Sequence, residues 1–144
     1  MDWEQFKSKK EVIQYIKMQN TSCQTTAQAE QYLREHLPKE SDYQNKIMKQ
    51  IRALCPSAFV WKAAAGAYSR QGIPDICAVI DGQYYGFEVK RPFIGVLSKM
   101  QEQTLMQIWR AGGKAYVVSY PSEVVRILQK KEKSSSIEKE KGES

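Results

Sequence analysis

The sequence predicts an α/β fold, a mixed β-sheet flanked by helices behind a helical N-terminal extension. Three observations predict it. Helical periodicity fills the first third of the chain. A β-hairpin, "GIPDICAVIDGQYYGFEVKR" (Gly72 to Arg91), follows one short strand. The second hairpin strand is then separated from a later strand by one helix, the pattern of a parallel crossover. Helices on both faces of such a sheet are the natural outcome.

In order, residues 8–19 carry Val12, Ile13 and Ile16, and more loosely Met18 and Gln19, at helical spacing. A second helix is expected from Thr26 to Leu37, ahead of Pro38. The third, "KESDYQNKIMKQIRAL", repeats Tyr43, Ile47, Ile51 and Leu54 along one stripe, with lysines and Arg52 outside. Cys55-Pro56 ends it. Residues 58–63, "AFVWKA", read as a strand and "AAGAYSRQG" as a loop. After the hairpin comes a loop, "PFIGVL", then a helix from Ser98 to about Ala111 that stops at Gly112-Gly113. "KAYVVSY", 114–120, is a strand, and Pro121 opens a last helix striped by Val124, Val125, Ile127 and Leu128. From Lys130 onward the low-hydrophobicity, mixed-charge run "KKEKSSSIEKEKGES" predicts a disordered tail. No internal repeat is visible. The expected division is a helical extension (1–37), a core domain (38–128) and a charged tail (129–144).

Composition bounds the function. With 144 residues there is length for one domain with a real core. The formal charge of +6 makes an anionic partner plausible without identifying it. Cys23, Cys55 and Cys77 are odd in number and far apart, so neither a disulfide framework nor a cysteine zinc site is supported. Cys77 reads as a core thiol. His36 is the one histidine, placed near a helix end where the dipole favours it. Histidine-rich metal sites are excluded by that count. The opening "MDWEQFKSKK" has no apolar leader segment. No apolar run approaches the roughly 20 residues needed to span a bilayer. A reducing, cytoplasmic setting with no membrane partner is the expectation.

The hairpin holds the chemistry. Asp81-Gly82 is a favoured two-residue type I′ turn. That register pairs Ile80 with Gln83, Val79 with Tyr84 and Cys77 with Gly86, and sets Asp75 opposite Glu88. Lys90, two residues on, shares their face. Ile76, Ala78, Ile80, Tyr85, Phe87 and Val89 form the core face. Directly opposed residues hold their Cβ atoms about 4.5–5.5 Å apart, where like charges are destabilising. Two such carboxylates want a cation, or one must take a proton. Lys90 supplies part of the compensation and a divalent metal would supply more. The alternative is bland: Asp75 caps the strand, and Glu88 with Lys90 is an ion pair on a wet sheet surface. A one-residue slip in the turn would part Asp75 from Glu88.

The spacing Pro74-Asp75 … Glu88-Val89-Lys90 resembles the PD-(D/E)XK nuclease signature. With "GIPDI", "FEVKRP", "GVLSKMQ" and "AGGKAYVV" in that order, residues 40–128 resemble the VRR-Nuc branch, particularly its stand-alone phage-type members. The resemblance implies a restriction-endonuclease-like sheet and a metal-dependent DNA nuclease for branched or otherwise structured DNA. It implies Asp75, Glu88 and the Val89 carbonyl as ligands of Mg²⁺ or Mn²⁺, and Lys90 as the residue that orients water and offsets phosphate charge. Gln101 matches the family's helix glutamine beside that lysine, although Ser98-x-x-Gln101 is also a capping box. Glu40 with Gln44 fits an E-x-x-x-Q ahead of the first strand, so Glu40 is a further acid near the metal or simply a first-turn acid. Lys62, Arg70, Arg91 and Lys99 flank the site as candidate phosphate contacts. Tyr68 is a loop tyrosine able to stack on a base. Folds of this kind often form homodimers to address two strands, and residues 1–37 are available for a dimer, a partner or DNA. Two rivals stay open: a catalytically silent nucleic-acid-binding or protein-interaction module, and a hydrolase of another phosphate ester.

Overall fold

The computed structural model describes residues 1–64 and 70–130. Tyr68 and residues 131–144, where the sequence predicts a charged tail, lie outside the described residues. A single 3₁₀ turn, Trp3–Gln5, precedes α1 (Lys9–Gln19), α2 (Thr26–His36) and α3 (Glu40–Leu54). Strand β1 (Phe59–Lys62) leads to the hairpin of β2 (Ile76–Ile80) and β3 (Gln83–Val89), then α4 (Lys99–Arg110) and β4 (Lys114–Val118). Residues 121–130 form the last helix, α5.

Local chemistry sets the helix starts. Ser8 accepts from Glu11 N at the start of α1, and Thr25 and Ser98 build capping boxes with Gln28 and Gln101. Val12, Ile13 and Ile16 are buried as their spacing predicts, but Met18 is 83% exposed, because it falls off that stripe. His36 ends α2, with its Nδ1 2.8 Å from Tyr32 O and its ring stacked on Tyr32.

The sheet runs β1-β2-β3-β4, antiparallel except for the parallel β3–β4 pair. That last pair is the crossover expected around α4. The hairpin register is the one the Asp-Gly turn dictates, from Ile80↔Gln83 to Ile76↔Phe87. Asp81 (φ 50°) and Gly82 (φ 77°) both take the left-handed backbone of a type I′ turn. A one-residue slip is therefore excluded.

Two apolar cores result. Ile76, Ala78, Ile80, Tyr85, Phe87 and Val89 meet Tyr43, Ile47 and Ile51 of α3, Val118 of β4 and Val124 and Leu128 of α5. A second core joins Trp3, Phe6 and the apolar sides of α1 and α2, and Phe93 and Ile94 pack against it. The segment just beyond β3 thus belongs to the N-terminal helices. No helix among the described residues is long and apolar enough to cross a membrane.

Candidate active site at the end of the hairpin

The ladder between β2 and β3 stops at Ile76↔Phe87. One residue earlier, Asp75 still pairs toward β1, where its carbonyl accepts from Ala63 N at 2.8 Å. Toward β3 its side chain takes over: Asp75 Oδ2 accepts from Val89 N at 2.9 Å. The carboxylate thereby satisfies a backbone donor that the ending ladder would leave unpaired. Its oxygens are held at the strand end next to Glu88.

Glu88 is 1% exposed. The wet-surface alternative for Glu88 and Lys90 is overturned, since α4 lies over this part of the sheet and buries the carboxylate. Glu88 Oε1 accepts from Gln101 Nε2 at 2.7 Å and lies 3.6 Å from Lys90 Nζ. Glu88 Oε2 is buried without a hydrogen-bond partner. Burial, first, and then the Asp75 charge and a hydrogen bond shared with the Asp75 carboxyl push the Glu88 carboxyl up to about 8, with Lys90 opposing. An unpartnered carboxylate oxygen in a dry site is costly unless it holds a proton or a cation.

Gln101 makes two contacts at once. Its Oε1 accepts from Ser98 N at 3.0 Å as the capping box requires, while its Nε2 reaches Glu88. Lys90 is held from below by backbone: its N–H donates to Val118 O at 3.0 Å. Gly95 leaves no room to spare there, as a Cβ at that position would lie 2.7 Å from Lys90 Cβ.

Glu40 stands at the first turn of α3, half-buried, and its carboxyl is raised by burial and by the Asp75 charge, with Lys90, Arg91 and Lys62 opposing. It therefore shares the electrostatic field of the pair. Among the described residues, however, no three His, Cys, Asp or Glu side chains converge as a metal cage. Glu40 is a charged neighbour of Asp75 and Glu88 rather than a third side chain closing a cage with them. Gln44, one turn along α3, is buried.

The candidate phosphate contacts divide. Lys62 and Lys99 are exposed. Arg70 is exposed and donates to Gln107 Oε1 on α4 at 3.2 Å. Arg91 is committed within the protein: it donates to the carbonyls of Arg34, Leu37 and Pro38 at 2.8, 3.0 and 3.0 Å. Sequence reasoning missed this tie, because its partners lie more than 50 residues away and are backbone atoms, which carry no residue signature. Cys77, 3% exposed, is buried on the site's side of the sheet, and its sulfur accepts from Tyr84 OH.

No family model matches the sequence, and no curated protein does so significantly. A solved structure described as a VRR_NUC domain is similar, with a TM-score of 0.52 and 21% identity over 62% of this chain and 94% of that one. At that identity the likeness is one of fold. The chain has the restriction-endonuclease-like α/β fold of a VRR-Nuc domain.

Proposed function

We propose that the chain is a divalent-metal-dependent deoxyribonuclease that hydrolyses phosphodiester bonds in branched or otherwise structured DNA. The observation that carries this reading is the buried Glu88 carboxylate set against Asp75, its Oε2 reached by no N–H or hydroxyl donor of the described residues. Hard oxygen donors in this number suit Mg²⁺ or Mn²⁺, which commonly use one or two carboxylates. Asp75, Glu88 Oε2 and the Val89 carbonyl would hold the ion, with Glu40 adding negative potential nearby. Bound there, it supplies Lewis acidity toward the phosphoryl oxygens, the attacking water and the leaving oxygen.

The chain's own residues do the rest. Lys90 places an ammonium 3.6 Å from Glu88 Oε1, where it donates to the water or to a phosphoryl oxygen and offsets developing charge. Gln101 holds Glu88 through Oε1 and leaves Oε2 as the oxygen that would bind an ion. Water forms the new P–O bond and gives up a proton to solvent, the bond to the leaving oxygen breaks, and that oxygen takes up a proton. The single histidine needs no part in it. The structured-DNA preference follows the VRR-Nuc resemblance.

The test is cleavage of labelled duplex, flap and four-way-junction DNA with Mg²⁺, Mn²⁺ or EDTA by the wild type, Lys90→Ala and Asp75→Ala. Metal-dependent cutting abolished in both variants is expected. A wild type that binds DNA but never cuts would make the protein a silent binding module instead.

A further inference from the structure

The sheet face that bears Asp75 and Glu88 continues outward to the edge strand β1. Phe59 faces Val79, which faces Tyr84; Trp61 faces Cys77, which faces Gly86. Alternation along the strands puts all of these on the Asp75–Glu88 side. Ala63, two residues past Trp61, donates to the carbonyl of Asp75 itself. The aromatic pair is therefore in line with the site, the nearer ring about 7 Å from the Asp75 row along the strand.

Among the described residues, helix α4 covers the β3–β4 side of this face and not the β1 side. Phe59 is 69% exposed, and Trp61 and Val79 are each 37% exposed. The rings of Phe59 and Trp61 stand 5.3 Å apart at 46°, and Trp61 lies 6.5 Å from Tyr84. Natural edge strands are normally guarded by charge rather than aromatic surface. Here Lys62, next after Trp61 in sequence, pairs with Ile76 of the core face and so leaves the strand on the opposite side, where its charge reaches Glu40.

We propose that Phe59 and Trp61 form a stacking platform for unpaired bases of the nucleic-acid strand whose phosphate lies at Asp75 and Glu88. The position of that phosphate rests on the nuclease reading. Flat rings at an open edge suit the faces of unstacked bases, which every base offers regardless of sequence. The cationic balance of +6 suits the backbone that carries them. The platform makes single-stranded character beside the cut, rather than a duplex groove, the feature that is recognised.

The experiment measures binding of labelled oligo-dT and of a blunt duplex in EDTA by the wild type, Phe59→Ala, Trp61→Ala, Phe59→Tyr and Trp61→Phe, with thermal melts as folding controls. Each alanine variant is expected to lose about fivefold or more in oligo-dT affinity while duplex affinity stays within about twofold. The aromatic replacements should retain binding. Should Trp61→Ala fail to melt cooperatively, Phe59→Ala decides, since that side chain is mostly in water. Unchanged oligo-dT binding, or equal losses on both DNAs, overturns the platform. So does sedimentation showing a dimer that the alanine variants dissociate with oligo-dT binding intact, for the face would then be a self-interface. Because binding is read without turnover, an inactive protein with aromatic-dependent binding removes only the nuclease reading. An active nuclease with aromatic-independent binding removes only the platform.

Discussion

Gln101 Nε2 donates to Glu88 Oε1 at 2.7 Å, and that bond decides which oxygen of the carboxylate is free. The same amide caps its own helix through Ser98 N. The first turn of α4 is thus locked to the floor of the site, and the two functions of the residue separate by mutation. Ser98→Ala removes the hydroxyl cap and should cost about 1 kcal/mol of stability with turnover retained. Gln101→Leu should reduce kcat roughly tenfold to a hundredfold, as loss of a residue that orients a ligand usually does. Equal effects on activity in the two variants would reduce Gln101 to a cap.

The Glu88 carboxyl gives stability a pH dependence of definite sign. Its ordinary value is 4.5 and burial raises it to about 8 in the folded state. Below the lower value it is protonated whether folded or not. Between the two, the unfolded chain releases the proton and the folded chain keeps it, so stability falls as pH rises, by at most about 1.4 kcal/mol per pH unit. Above the upper value the loss levels off. In EDTA the melting temperature should therefore drop between about pH 5 and about pH 8, and Glu88→Gln should flatten that slope. Added Mg²⁺ should raise the melting temperature more at the alkaline end, since it binds the ionised form. A wild-type slope identical to that of Glu88→Gln would mean that Glu88 ionises normally.

Asp75 serves Val89 N and, in the proposed site, would also hold the ion, and two substitutions distinguish these duties. Asp75→Asn keeps an oxygen for Val89 N and removes the charge that opposes Glu88 ionisation, so the melting temperature should hold. Cleavage should nevertheless fall on the order of a hundredfold or more. Asp75→Ala should lose activity likewise and also about 1–3 kcal/mol of stability, because Val89 N is left without its acceptor. Activity in Asp75→Asn close to wild type would remove Asp75 from the site.

How much of this was legible in the sequence depends on range. That Asp75 and Glu88 are neighbours was, because a two-residue Asp-Gly turn fixes the register, here as far as Ile76↔Phe87, one residue short of them. The core face of the hairpin followed from the same count. The burial of Glu88 was not, since strand alternation says which residues share a face but not whether a later helix covers it. Nor did the periodicity of "AFVWKA" say that Phe59 and Trp61 would stay exposed on an edge; that depends on where β1 sits in the sheet. Arg91 shows the same limit from another side. Beside Lys90 it reads as a phosphate contact, but its guanidinium is taken up by the end of α2.

That commitment of Arg91 can be set against the phosphate role directly. Its three acceptors are the carbonyls of Arg34 and Leu37, orphaned at the end of α2 and negative by the helix dipole, and that of Pro38 in the turn to α3. Phe93 and Ile94 follow it into the N-terminal core, so Arg91 begins the stretch that fastens α1 and α2 to the site strand. Arg91→Ala should destabilise the protein by about 2–3 kcal/mol and make residues 1–39 the first target of limited proteolysis. Arg91→Lys should recover only part of this, because one ammonium cannot reproduce the planar fork. The slope of DNA affinity against salt should not change, as no phosphate contact is lost. If instead Arg91→Ala melts like the wild type and its salt slope falls by about one unit, Arg91 contacts DNA and the tie to α2 is dispensable.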